Sequence, residues 1–468
     1  INDYGYQKSN PNSISKKRAA TTRNNMQLLG DYDLALGSKH TFHLLGGFSF
    51  EDYRFDYTTA TAKGLSSNDL FALNLGDPAL ASNTDDIQTW ALLSYFGRLN
   101  YSFDNRFLFE GDLRYDGSSK LAPGHRWQLF PAVSAGWRLN NEKWFHSALP
   151  FFDEFKLRAS WGQLGNSEGV LGNYDYIAPM ALGSVYPFNN QRNKSFYQSV
   201  LASPEKTWET VETSNAGIDI SLFKQRLSFS GDYFIKQNKN MLAPLQLASM
   251  IGIATSTYNV ATMKTWGWEV TLGWKDVLPG NFSYWINANL SDNNNKILSY
   301  NGKSTVLAGL NGIVEGMPYS SFFGYVADGY FQQEDEVAKH AFQDNRTGAG
   351  DIIYEDINGD GRINAGKGTM NDHGDLVYMG NIAPRYTYGF DLGFNWKGID
   401  VSAFFQGVGK RRMMPFMSAL LPLLDRWRKP LDYNEDYWTP ENPDARFPRL
   451  YLGGTQNALP SSRWIMNA

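Results

Sequence analysis

The sequence predicts an all-β chain: an antiparallel transmembrane β-barrel with short turns at one end and long loops at the other. Three observations carry this reading. Apolar and polar residues alternate with a period of two along almost the whole chain. Short and long connections take strict turns. Aromatics make up 15% of the 468 residues and charged residues only 19%, a balance that suits strands, where aromatic side chains are favoured.

The alternation is clearest at Arg106–Tyr115. Phe107, Phe109, Gly111, Leu113 and Tyr115 fall on one face, and Arg106, Leu108, Glu110, Asp112 and Arg114 on the other. Successive strand side chains point to opposite faces, so such a segment separates an apolar medium from a polar one. The same pattern marks Leu93–Phe103, Leu227–Ile235, Ser283–Ser291 and Tyr386–Trp396. Segments of about 9–11 residues are what a tilted strand needs to cross a bilayer. About twelve such strands are expected.

Short connections are placed near Gly37-Ser38-Lys39, Asp104-Asn105, Asn140 to Asp153, Lys224-Gln225, Asp276 to Gly280 and Lys397-Gly398. Long ones fall at roughly 52–90, 118–127, 165–208, 237–262, 294–384 and 408–463. This parity is that of an outer-membrane barrel, with short periplasmic turns and long extracellular loops. A half-buried sheet in a soluble protein shows the same period but gives no reason for the long loops to share one end. No stretch of about 18 apolar residues is present, which argues against a transmembrane helix.

There is no cysteine, which removes disulfides and Cys-based metal sites. A net charge of -4 gives no reason to expect nucleic acid. The chain opens on polar Ile1-Asn2-Asp3-Tyr4 without a signal peptide, so the N-terminus of an exported protein is expected upstream.

Several stretches resemble the barrel of SusC/RagA-type TonB-dependent outer-membrane transporters. They include YFGRLNYSFDNRFLFEGDLRYDGSS from Tyr95, FPAVSAGWRL from Phe130, FKLRASWGQLGN from Phe155 and WETVETSNAGIDISLF from Trp208. GDIIYEDINGDGRI from Gly350, GNIAPRYTYGFDLGFNWKGIDVSAFFQGVG from Gly380 and YWTPENPDARFPRL from Tyr437 follow in family order. The resemblance implies a barrel of about 22 strands around an N-terminal plug, with a TonB-contacting box. Nothing here resembles plug or box, and SSRWIMNA from Ser461 looks like the lead-in to further strands. The expectation is that residues 1–468 are part of one barrel domain, an internal piece of a transporter roughly twice as long.

The sharpest local motif is Asp356-Ile357-Asn358-Gly359-Asp360-Gly361-Arg362. It is the front half of a calcium loop: side-chain oxygens at alternate positions wrap a hard cation, Gly361 makes the turn, and Arg362 offers its backbone carbonyl. Lys367 stands where the usual twelfth-position acid would be. Related transporters close the loop with a later acidic residue, which implies Asp375, with Asp372 as second candidate. The expected ligands are Asp356, Asn358, Asp360, Arg362 and Asp375, holding a structural Ca²⁺. The competing reading is an Asp/Asn/Gly turn ordered by its own hydrogen bonds.

Other motifs carry less. Gly361 to Lys367 nearly spells a P-loop, but Gly368 replaces the Ser or Thr that would bind Mg²⁺. Gly165-Asn166-Ser167-Glu168-Gly169 matches G-x-S-x-G by chance, since the six histidines form no cluster. The final loop is dense in Arg426, Trp427, Arg428, Tyr433, Tyr437 and Trp438, stiffened by Pro430, Pro440 and Pro443. These either meet a ligand or partner, or fold the loop upon itself. The runs Lys16-Lys17-Arg18 and Lys410-Arg411-Arg412 are solvated faces, or contacts to lipopolysaccharide phosphates.

The resemblance implies TonB-energised import of an oligosaccharide or peptide across the bacterial outer membrane, with a SusD-like lipoprotein. The TonB complex would act through the N-terminal region. No bond is made or broken, so no enzyme is expected. The alternative is a barrel that anchors a surface complex as a scaffold.

Overall fold

The computed structural model describes residues 11–467 except 168, 184–186, 189–190, 193, 246–249, 251, 303, 422 and 425–430. Twelve strands form one sheet. They are β1 (Ser13–Leu36), β2 (His40–Lys63), β3 (Ser82–Phe103), β4 (Phe107–Ser118), β5 (Trp127–Arg138) and β6 (Phe152–Asn166). Then come β7 (Glu209–Leu222), β8 (Leu227–Pro244), β9 (Thr257–Leu278), β10 (Phe282–Tyr300), β11 (Arg385–Trp396) and β12 (Ile399–Lys410). Sheet order equals chain order, and each strand pairs antiparallel with the next. Such a meander satisfies every interior backbone group through its neighbours, as hydrocarbon demands.

The turns explain the register. Lys397 (φ 49°) and Gly398 (φ 83°) both take positive φ between the paired Trp396 and Ile399. This is a type I′ hairpin, whose twist matches that of the strands.

Register converts sequence alternation into two surfaces. One continuous row runs Tyr32, Leu44, Leu99, Gly111, Val133, Trp161 across six strands. A second runs Ile220, Phe229, Leu272, Ala288, Phe390, Phe405. Neither row contains a charge, and Leu99, Val133, Leu272, Phe390 and Phe405 are exposed. Ring pairs reinforce this belt, with Phe42–Tyr101 at 4.7 Å, Phe390–Phe405 at 4.8 Å and Tyr115–Trp127 at 4.9 Å.

The opposite face is polar and cross-braced. Arg158 on β6 donates both terminal nitrogens to Asp232 on β8, each at 2.6 Å. Its Nε reaches Asp219 on β7 at 3.0 Å. The guanidinium passes over Gly217, where a Cβ would stand 2.6 Å from Arg158 Cζ. Asp112 faces Arg98 at 2.5 Å, and Asp116 accepts from Arg114 Nε at 2.7 Å.

The strands overrun the span needed to cross a bilayer. β1 and β2 each have 24 residues, a length of about 80 Å at about 3.4 Å per residue. The sequence reading began a loop at 52 and ended it at 90, but β2 continues to Lys63 and β3 starts at Ser82. The connection is therefore 64–81. The difference has a physical cause: Asp52, Arg54, Asp56 and Asp85 break the apolar side of the pattern, while backbone pairing continues from Glu51↔Leu92 to Thr61↔Ser82. Likewise β10 runs to Tyr300, β8 to Pro244 and β12 to Lys410.

Candidate functional site

Two regions gather polar chemistry: the inner face of the sheet and a cap built from the β10–β11 connection and the segment that follows β12. Beside a cavity of about 650 Å³ at Asp219, Ser230, Lys275 and Trp285, two more open on the inner face. One of about 440 Å³ is bordered by His43, Glu110, Ser134, Lys156 and Arg158. The other, of about 810 Å³, lies toward the loop end beside Gln27, Glu51, Phe96, Arg98 and Arg114. Their floors mix apolar side chains with internally paired charges, the composition of a ligand-bearing concavity.

The cap joins residues 301–384 and 411–467 around one hydrophobic core. Val306, Val314, Phe323, Tyr325, Ile352, Tyr354 and Leu376 come from the first segment; Leu421, Phe447 and Trp464 come from the second. Short strands add to it: Gly309–Asn311, Ser321–Gly324 and Val377–Asn381 form one small sheet. Backbone bonds fix the cap to β10, with Ile297 N donating to Met317 O at 2.8 Å and Gly316 N to Ile297 O at 3.0 Å.

A buried carboxylate holds the two segments together. Asp351 accepts from Asn457 Nδ2 at 2.8 Å, Tyr451 Oη at 2.8 Å, Gly348 N at 2.9 Å and Arg449 Nη2 at 3.1 Å. Asn457 Oδ1 in turn accepts from Ile352 N at 2.9 Å. Burial first, and then the hydrogen bond to Asp351, push the Tyr451 phenol up to about 12. The sequence reading missed this hub, because its members lie about a hundred residues apart and follow no local motif.

The candidate calcium loop sits on the flank of the same core, between Tyr354 and Leu376. Asp356 accepts from Gly359 N at 2.8 Å, Asp360 N at 3.2 Å and Gly361 N at 2.8 Å. Gly361 has φ 78°, which a side chain would resist. Of the two closing candidates, the fold brings Asp375 to the loop. Asp375 is fully buried and accepts from Ile357 N at 2.9 Å and Asn364 N at 2.8 Å. Asp372 instead lies 3.5 Å from the Lys367 ammonium. The Asn358 amide and the Arg362 N–H hold the Asp360 carboxyl below its usual range. The loop is thus pre-wrapped and its donors are all oxygens, the chemistry of a hard cation. Among the described residues, no three acidic or histidine side chains already converge at metal-holding distances.

In the final loop Trp438 is buried, Tyr437 packs against the cap core and Tyr433 stacks obliquely on Phe447 at 6.0 Å. These residues fold the loop upon itself. Arg426, Trp427, Arg428 and Pro430 lie outside the described residues. Lys17 stands 3.9 Å over the Tyr57 ring, and Arg412 pairs with Asn467 in a short strand.

A family model described as TonB dependent receptor-like, beta-barrel, matches residues 1–414. TonB-dependent receptor P26 of Formosa agariphila is 26% identical over 454 residues, covering 93% of this chain and 44% of that protein. TonB-dependent receptor SusC of Bacteroides thetaiotaomicron is 26% identical over 324 residues, covering 65% of this chain and 30% of SusC. The chain spans less than half the length of these curated relatives. The structure of the RagAB peptide transporter superposes with a TM-score of 0.79 at 21% identity, over 97% of this chain and 48% of that one. At that identity the likeness is one of fold.

Proposed function

Because this chain belongs to the TonB-dependent receptor β-barrel family, a family of the bacterial outer membrane, we propose that it forms part of a SusC/RagA-type importer. The full protein takes up an oligosaccharide or peptide, energised by TonB and working with a SusD-like lipoprotein over its loop end. The loop end faces outward and the short turns face the periplasm. The observation that carries this reading is the pairing of surfaces on one sheet: an uncharged outer belt backed by a polar inner wall with cavities. A scaffold would need the belt but not the cavities.

The test is growth and uptake in the native host. Deleting the gene is expected to abolish growth on one class of complex glycan or peptide, and deleting TonB should do the same. Growth and uptake unchanged by deletion of the gene would leave only the scaffold role.

We also propose that Asp356, Asn358, Asp360, Asp375 and the Arg362 carbonyl hold a structural Ca²⁺ bracing the cap. Titration of the purified full-length protein is expected to show a dissociation constant of about 10⁻⁴–10⁻³ M, the range of extracellular modules. Asp356→Asn together with Asp375→Asn should remove it. Equal heats for wild type and double variant would establish the loop as a self-bonded turn.

A further inference from the structure

We propose that the inner face of β1–β3, above the belt, binds a neutral oligosaccharide as it enters. This deepens the import reading by choosing between its two substrate classes. The strands run from belt to rim without a bulge: neither the β1–β2 nor the β2–β3 register shifts. Parity therefore carries upward from the belt. Phe42, Leu44 and Phe48 lie on the outer face, so Glu51, Tyr53, Phe55 and Tyr57 lie on the inner one, directly above the larger inner cavity, which Glu51 borders.

Three aromatic rings thus follow one another at every second residue of one strand, with the Phe55 and Tyr57 centroids 5.7 Å apart and their planes tilted by 49°. Trp90 on β3 adds a fourth, opposite Tyr53, with ring centroids 5.3 Å apart and planes 14° from parallel. Lys17 lies over Tyr57 at 3.9 Å and Lys120 over Trp90 at 5.2 Å, which pins both rings. The aromatics are half-buried rather than packed into a core.

Hydrogen-bonding side chains border the rings in register. Arg23 stands opposite Tyr53, Thr21 and Gln88 flank Phe55, and Asp86 stands opposite Tyr57. Charges of both signs interleave, and Arg23 is paired with Glu51. A pyranose ring needs this combination: a flat apolar surface for its C–H face and mixed donors and acceptors for its hydroxyls. The paired charges leave no strong field of one sign, which suits a neutral chain.

A peptide is served poorly here. Extended peptides bind by adding to a free strand edge and by filling pockets with alternate side chains. β2 is paired on both sides through this stretch, from Glu51 to Thr61, and offers no edge.

Calorimetry on the full-length protein in detergent tests this without any need for TonB. The probes are cello-, xylo-, manno-, laminari- and maltohexaose, with a tryptic digest of casein as the peptide arm. At least one hexasaccharide is expected to bind. Tyr53→Ala with Trp90→Ala should weaken it by about 30-fold, the effect of losing a central aromatic contact. Tyr53→Phe with Trp90→Phe, which keeps flat rings, should stay within a few-fold of wild type and exclude a folding defect. Binding of the casein peptides with no hexasaccharide bound would overturn the proposal. So would no binding at all, or hexasaccharide affinity equal in the alanine variant. Import that failed with binding intact would sink the transport reading and leave this site standing.

Discussion

Val133→Arg in the full-length protein is expected to lower the stability of the membrane-inserted barrel by about 2–4 kcal/mol, read from reversible unfolding in lipid vesicles. Val133 is 55% exposed and sits in the uncharged row between Gly111 and Trp161. In water, a substitution at such an exposed site would stay within about 0.5 kcal/mol. The large value arises only if the medium against Val133 is hydrocarbon, where the guanidinium finds no partner. The neighbouring residue supplies the control. Ser134 points to the other face, opposite Glu110 and Ser160, so Ser134→Arg meets a carboxylate and should cost little. Equal small effects at both positions would mean the belt does not face lipid. That result would remove the basis for a membrane barrel.

Where backbone and side chain obeyed one local rule, the sequence could be read. The strand at Phe107–Ser118 was visible because lipid and lumen impose opposite demands on alternate residues. The upper parts of β1, β2 and β3 were not visible, because above the belt both faces meet water and the alternation loses its contrast. Pairing persists there by continuity with the strand below. The cap was hidden for another reason. Its short strands are too brief to show a period, and Val306 and Phe447 share one core only through the tertiary fold. The calcium motif lay between these cases. Its front half is local and could be named; Asp375 was ranked above Asp372 by resemblance alone, and it is Asp375 that the fold brings to the loop. Arg158 shows what parity offers beyond the belt. Arg158 and Asp232 both fall on the inner face, and Gly217 stands between them with no side chain to intervene.

Asp351→Ala is expected to destabilise the cap by about 3–5 kcal/mol, the cost of removing one partner of a buried charged pair. The loss spreads beyond Arg449. Asn457 Nδ2, Tyr451 Oη and Gly348 N lose their acceptor together, and buried donors left unpaired each carry a desolvation cost. Asn457 also holds Ile352 N, so the effect reaches the core strand Ile352–Tyr354. Hydrogen exchange at Ile352 should therefore accelerate strongly, while the protection of β5 and β6 stays unchanged, because the cap is anchored at β10. The Tyr451 phenol gives an independent readout. Its folded pKa is raised to about 12, against about 10 for an unperturbed tyrosine. A raised pKa means that its contribution to stability is complete below pH about 10 and is lost between about 10 and 12, as the unfolded chain ionises first. In Asp351→Ala the carboxylate no longer opposes ionisation, so phenolate absorbance from Tyr451 should appear at lower pH. An unchanged titration with unchanged exchange at Ile352 would show that the two cap segments are held by their apolar core alone. Asp351 would then be a passenger in it.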